Sequence, residues 1–92
     1  MNVFNDNDFV VIVNKNLKGF SRGETAMVVG CRDLPRDPKD PYTLRRYMLI
    51  SRVILTDSED TLIEQVTHIV DPTSIQLAPK DVTDKLKEGM GS

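Results

Sequence analysis

The sequence predicts a small, mostly β domain, and three observations predict it. Short runs rich in β-branched residues, such as Phe9–Val13, Thr25–Val29 and Arg45–Leu55, have the composition of strands. Between them fall glycines, prolines and Asn/Asp clusters that punctuate the chain. Finally, 92 residues, 39% hydrophobic and 28% charged, suit one soluble globular core and leave no room for two.

Each element follows from its local chemistry. Residues 1–8 are polar and rich in Asn and Asp, which reads as a flexible lead-in. Phe9-Val-Val-Ile-Val13 is a continuous apolar run, expected of a strand covered on both faces. Asn14 to Arg22, with Gly19, reads as a long polar loop, and Gly23 leads into a second strand, Thr25–Val29, closed by Gly30. Asp33 to Thr43 holds Pro35, Pro38 and Pro41, none of which can donate to a ladder, so this stretch is a loop or an extended arm.

Arg45–Leu55 is the longest expected strand, with Tyr47, Leu49, Val53 and Leu55 on one face and Arg46, Met48, Ile50, Arg52 and Ile54 on the other. Thr56–Asp60 is a polar turn. Residues 61–70 carry a conflict: the apolar spacing fits a helix, while the abundance of Thr, Ile and Val fits a strand. The β-branched enrichment decides for a strand. Asp71–Ser74 is a turn, Ile75–Leu77 a last short strand, and 79–92 a short helix or tail opened by Pro79 and Asp81 and ended at Gly89.

Composition narrows the function classes. One cysteine, Cys31, leaves no internal disulfide framework and no closed Cys-based zinc site; beside Val28, Val29 and Gly30 it reads as a small buried apolar residue. No signal-peptide pattern opens the chain and no apolar run approaches the roughly 20 residues of a membrane span, so a cytoplasmic, membrane-free setting is expected. A core this small gains from self-association, which makes a homo-oligomer the expectation.

Charge is uneven. From Lys15 to Arg52 there are nine Lys/Arg against four Asp/Glu; from Asp57 onward there are three against eight. Either the chain has a basic and an acidic region, or the two halves neutralise each other in the fold.

His68, the single histidine, has no nucleophile-elbow serine to serve and reads as a structural or surface histidine. The acidic turn Asp57–Asp60 lacks the ligand order of a calcium loop and reads as a solvated hairpin tip. No catalytic residue, metal or cofactor is expected, and the chain is read as not an enzyme. The candidate binding residues are Lys18, Phe20 and Arg22 of the first loop, Arg36 and Tyr42 of the arm, and Arg46 and Arg52, which share one parity of the long strand. Basic side chains interleaved with aromatics suit an acidic protein surface or a single nucleic-acid strand.

Val11-Ile-Val-Asn-Lys15, Gly19, Gly23 and Val28-Val-Gly30 together resemble the strand, glycine-bearing loop and strand of KOW domains. The resemblance spans 9–78 and implies a five-stranded SH3-like barrel that binds RNA, DNA or a protein of the transcription or translation machinery. In place of that family's Gly-Lys-x-Gly pairing stands Lys18-Gly-Phe-Ser-Arg-Gly23. Thr73-Ser-Ile-Gln-Leu-Ala-Pro79 is similar to the active-site segment of the plasmid-encoded type II dihydrofolate reductases, also SH3-like barrels. Gln76 and Leu77 match its Gln and Ile, and Lys15 matches its lysine, but Ala78 replaces the tyrosine.

The reading favours a binding module, an accessory or regulatory factor acting on a larger protein machine, such as a phage protein directed at its host. A protein partner is preferred to a nucleic acid because the acidic half repels a polyanion. A KOW-like nucleic-acid-binding domain comes second and a reductase-like enzyme third.

Overall fold

The computed structural model describes residues 4–90. Six strands alternate with loops and end in one helix: β1 (Phe9–Ile12), β2 (Thr25–Pro35), β3 (Leu44–Leu55), β4 (Thr61–Ile63), β5 (His68–Val70), a 3-10 turn (Pro72–Ser74), β6 (Ile75–Leu77) and α1 (Lys80–Gly89). The fold is mostly β, as expected. All pairings are antiparallel, in the order β4-β3-β2-β1-β6, with β5 beside β4 on the same side of β3.

Two features of the expected barrel are corrected. Among the described residues there are six strands rather than five, because residues 61–70 divide into β4 and β5 around Glu64–Thr67. The sheet also stays open: β6 and β4 stand at its opposite edges and do not pair. Closure needs outer strands long and tilted enough to meet, and these have three residues each.

The core lies on one face. Val10 and Ile12 of β1, Ala26 and Val28 of β2, Met48 and Ile50 of β3, Val70 of β5 and Ile75 of β6 form it, with Phe20 from the first loop. Register explains the set. Val10 faces Ala26, Val28 faces Ile50, Ile12 faces Ile75 and Met48 faces Val70, and directly opposed residues share a face. Phe4 packs against this cluster too, and the Asn7 amide donates to Val28 O at 2.7 Å, so the described part of the lead-in is tied down. Residues 1–3 of that lead-in and 91–92 of the tail lie outside the described residues.

β2 does not end at Gly30. A register shift between Val28 and Gly30 marks a bulge, and the strand then runs on to Pro35 beside Leu44. A glycine inside a strand pattern is as much a bulge signal as a stop. Beyond the bulge the β2–β3 hairpin leaves the core as an arm, and every residue from Pro35 to Leu44 is exposed. The radius of gyration is 14.1 Å, against roughly 12 Å for a compact domain of this length. The longest dimension is 49 Å.

Cys31 sits on this arm and is exposed, which corrects its expected burial. Its neighbours in sequence are apolar, but past the bulge the core no longer extends beneath the strand.

α1 caps the other end. Its Leu86 is buried, the Leu86 carbonyl accepts from the buried Thr61 hydroxyl at 2.8 Å, and Lys87 stands in the last turn, where a cation favours the helix dipole. Gly89 is required by close approach: a Cβ there would meet Glu59 O at 2.6 Å and Thr61 N at 2.9 Å. Among the described residues no helix is long and apolar enough to cross a membrane.

Candidate functional site: a projecting arm

The seven candidate binding residues do not form one surface. Arg46 and Arg52 lie on the same face of β3, six residues apart, which in a strand is about 20 Å. One belongs to the arm and the other to the body.

Phe20 and Arg52 build the body. Phe20 is 8% exposed and part of the core. The Arg52 guanidinium lies 4.7 Å from the Phe20 ring centroid and donates to Gly19 O, with Glu64 Oε2 at 3.3 Å and Glu24 Oε1 at 3.6 Å. One cation therefore fastens the first loop to the sheet from three sides, with a cation–π contact above the aromatic plug. His68 meets the same ring edge-on, centroids 4.8 Å apart. It is a packing residue, one of the two readings the sequence allows, although its Nε2 is buried without a hydrogen-bond partner among the described residues. Gly19 and Gly23 both have positive φ, 86° and 93°, which is why this loop carries glycines. Lys18 and Arg22 are exposed on it, away from the arm.

Arg36 and Tyr42 are together on the arm's tip, residues 36–43. This tip is held by its own acidic side chains. Asp37 Oδ1 accepts the Lys39 amide at 2.9 Å, Asp37 O accepts the Asp40 amide at 2.9 Å, and Asp40 Oδ1 accepts the Tyr42 amide at 3.3 Å. The Thr43 hydroxyl draws the Asp40 carboxyl below its ordinary value; desolvation opposes it, and the Tyr42 and Thr43 amides add to the net lowering. With Pro35, Pro38 and Pro41 restricting φ, the tip is preorganised. A cleft of about 330 Å³ lies between Arg36, Asp37, Pro38, Asp40 and Thr43. Beside it Tyr42 is 93% exposed, and Leu44 at the base of the tip is 56% exposed.

The arm's stem is braced by ions. Arg46 bridges to Asp33, its cross-strand partner, at 3.3 Å, and that carboxylate holds the guanidinium pKa above its ordinary value. Arg45 bridges to Asp71 at 3.0 Å. Burial pushes the Asp71 carboxyl up, but the Thr73 amide and hydroxyl, Arg45 and the more distant Arg36 outweigh it, so the net shift is down. The charge asymmetry is thus partly cancelled, since Arg45–Asp71 and Arg52–Glu64 join the basic and acidic halves. The pairing of Arg36 with Asp37 or Asp40, the simplest one in sequence terms, does not form. Among the described residues Arg32, Arg36 and Lys39 have no carboxylate within ion-pair distance.

The residues matched to the reductase segment lie on β6 and in the turn after its neighbour β1. Gln76 is exposed at the centre of β6, opposite Val11, and Lys15 is exposed in the turn after β1. Sequence reasoning placed Arg32 among the basic residues of the arm but missed Leu44. The cue for Leu44 was the continuation of the strand through Gly30, which puts the paired strand on a ribbon with no core beneath. No family model matches this chain, and no curated protein or solved structure shows significant similarity to it.

Proposed function

We propose that the chain is a non-enzymatic binding module that engages a protein partner through the tip of its β2–β3 arm. The observation that carries this is Tyr42, an aromatic 93% exposed on a loop already fixed by hydrogen bonds and prolines. Large aromatics flanked by arginine are the residues that dominate interfaces, and a preorganised loop loses little entropy on docking. Tyr42 is the anchor, Leu44 widens the apolar contact, and Arg36 and Lys39 set the orientation.

The module acts in a reducing cytoplasm, where the exposed Cys31 thiol stays free, as an accessory factor of a larger machine and in association with copies of itself. The order β6-β1-β2-β3, with a 3-10 turn just before the last strand, supports an open variant of the SH3-like arrangement. Binding of a single nucleic-acid strand is the second reading, favoured by the unpaired Arg32, Arg36 and Lys39; it ranks lower because Arg45, Arg46 and Arg52 are engaged by carboxylates.

Affinity capture from native lysate, with and without nuclease, tests the choice. Capture should survive nuclease and weaken by about 2 kcal/mol, roughly 30-fold, in Tyr42→Ala. Capture that disappears with nuclease, and that falls steeply with salt, would transfer the function to nucleic acid.

A further inference from the structure

The core has one member that no strand carries. Phe20 stands on the loop between β1 and β2, whereas the other buried residues of the cluster lie on β1, β2, β3, β5 and β6. The hydrogen bonds of this loop are nearly all its own. The Leu17 amide donates to Asn14 O at 3.3 Å, the Phe20 amide to Leu17 O at 3.2 Å and the Ser21 amide to Glu24 Oε2 at 2.8 Å. Among the described residues, the stretch 15–22 has one hydrogen bond to any residue beyond 14–24, and Arg52 donates it to Gly19 O. Gly19 and Gly23, with φ of 86° and 93°, flank Phe20 with backbone free of side-chain hindrance.

The closed arrangement also leaves polar atoms without partners. Arg52 Nε and His68 Nε2 are buried with no hydrogen bond among the described residues, and they belong to the two side chains that hold the Phe20 ring. A buried polar atom without a partner weakens the state that buries it. Water that reaches both atoms offsets part of the cost of exposing Phe20.

We propose that the stretch 15–22 is a hinged plug, which leaves the body as one unit while the strands stay paired. Arg52 is its latch, and release lifts Phe20 from between Arg52 and His68. The transition is local and costs less than unfolding. Its product is a body whose core is bared at one place, with the His68 ring on the wall of the opening. The device belongs to the body and is independent of what the arm binds.

Native-state hydrogen exchange of the intact chain tests it, followed on the loop, beneath it and in the sheet. The Phe20 amide reports the loop, Arg52 Nε–H the site under the plug, and the Val28 amide, bonded to Asp8 O at 2.8 Å, the sheet. The first two should share one opening constant, about a hundredfold larger than that of Val28. Ile75→Val trims a fully packed core residue of β6 that stays packed with the plug in or out. It should raise the Val28 constant about fivefold and leave the shared constant unchanged. Arg52→Lys keeps the charge and loses the fork. It should raise the Phe20 and Val28 constants by the same factor, because the latch is broken in the open and the unfolded chain alike. A Phe20 constant equal to that of Val28, separate constants for Phe20 and Arg52, or a shared constant that follows Ile75→Val would each overturn the proposal. Should Arg52→Lys fail to fold, the wild type and Ile75→Val decide the matter between them.

Discussion

The body and the arm of this molecule are built from the same two strands under different rules. In the body, β2 and β3 bury Ala26, Val28, Met48 and Ile50 against β1, β5 and β6, and position is set by packing. In the arm, the same strands have no neighbouring strand and no covered face, and position is set by ladder bonds, by Arg46–Asp33 and Arg45–Asp71, and by a proline-rich tip. The bulge at Val28–Gly30 separates the two regimes. The difference teaches that a side chain's neighbours along the chain do not decide its burial. Val28 is fully buried and Cys31, three residues on, is exposed.

The largest expected effect lies in the body. Ile50→Ala, at a site with no exposure, should cost about 2–5 kcal/mol in chemical denaturation. That is a large part of the stability of a domain this size. A loss under 1 kcal/mol would mean that the body is not packed as described.

Next comes the cap. Gly89→Ala sets a methyl against Glu59 O and Thr61 N, both backbone atoms. The expected cost of overpacking is about 1–3 kcal/mol, with faster amide exchange over α1 and β4 than over β1 and β2. Uniform exchange across the chain would show that the helix is not a separate cap.

The stem is more modest. The Asp71 carboxyl is held below its ordinary value of 3.8, so its ionised form is favoured in the folded state. Its contribution is present above the ordinary carboxylate value and disappears as pH falls through the folded one. For a pair this exposed the pair energy is about 0.2–1 kcal/mol. Asp71→Asn should therefore lower stability slightly at neutral pH and flatten the acid limb of the stability curve; an unchanged limb would remove the brace from the account.

The smallest effect on stability, and the largest on binding, belongs to the tip. Tyr42→Ala should change folding stability by no more than about 0.5 kcal/mol while weakening capture of the partner roughly 30-fold. If it destabilises the fold like a core substitution, the arm packs on something and the contrast between the regions fails.

Some of this was legible in the residues. The β-branched runs marked β1, the first half of β2, β3 and β6, and the conflict over 61–70 went to strand because stiff χ1 side chains outweighed an approximate helical spacing. Pro79 at the helix N-cap and Gly89 in its last turn bounded α1. The candidate site was legible in parts: Tyr42 and Arg36 are together, whereas Phe20 and Arg52 belong to the core and its clamp. A loop phenylalanine between glycines gives no local sign that an arginine 32 residues on will cover it.

By itself, then, the sequence determined the mostly β class, the places where the chain turns, the parity of each strand and the uneven distribution of charge, because these depend on local sterics and on covalent order. Only the tertiary structure decided which parity faces a core, where the hairpin leaves it, that the sheet remains open, and which cations are spent on internal carboxylates. Those outcomes depend on what each residue meets from a distant part of the chain: Phe20 meets Arg52, Gly89 meets Thr61, and Tyr42 meets solvent.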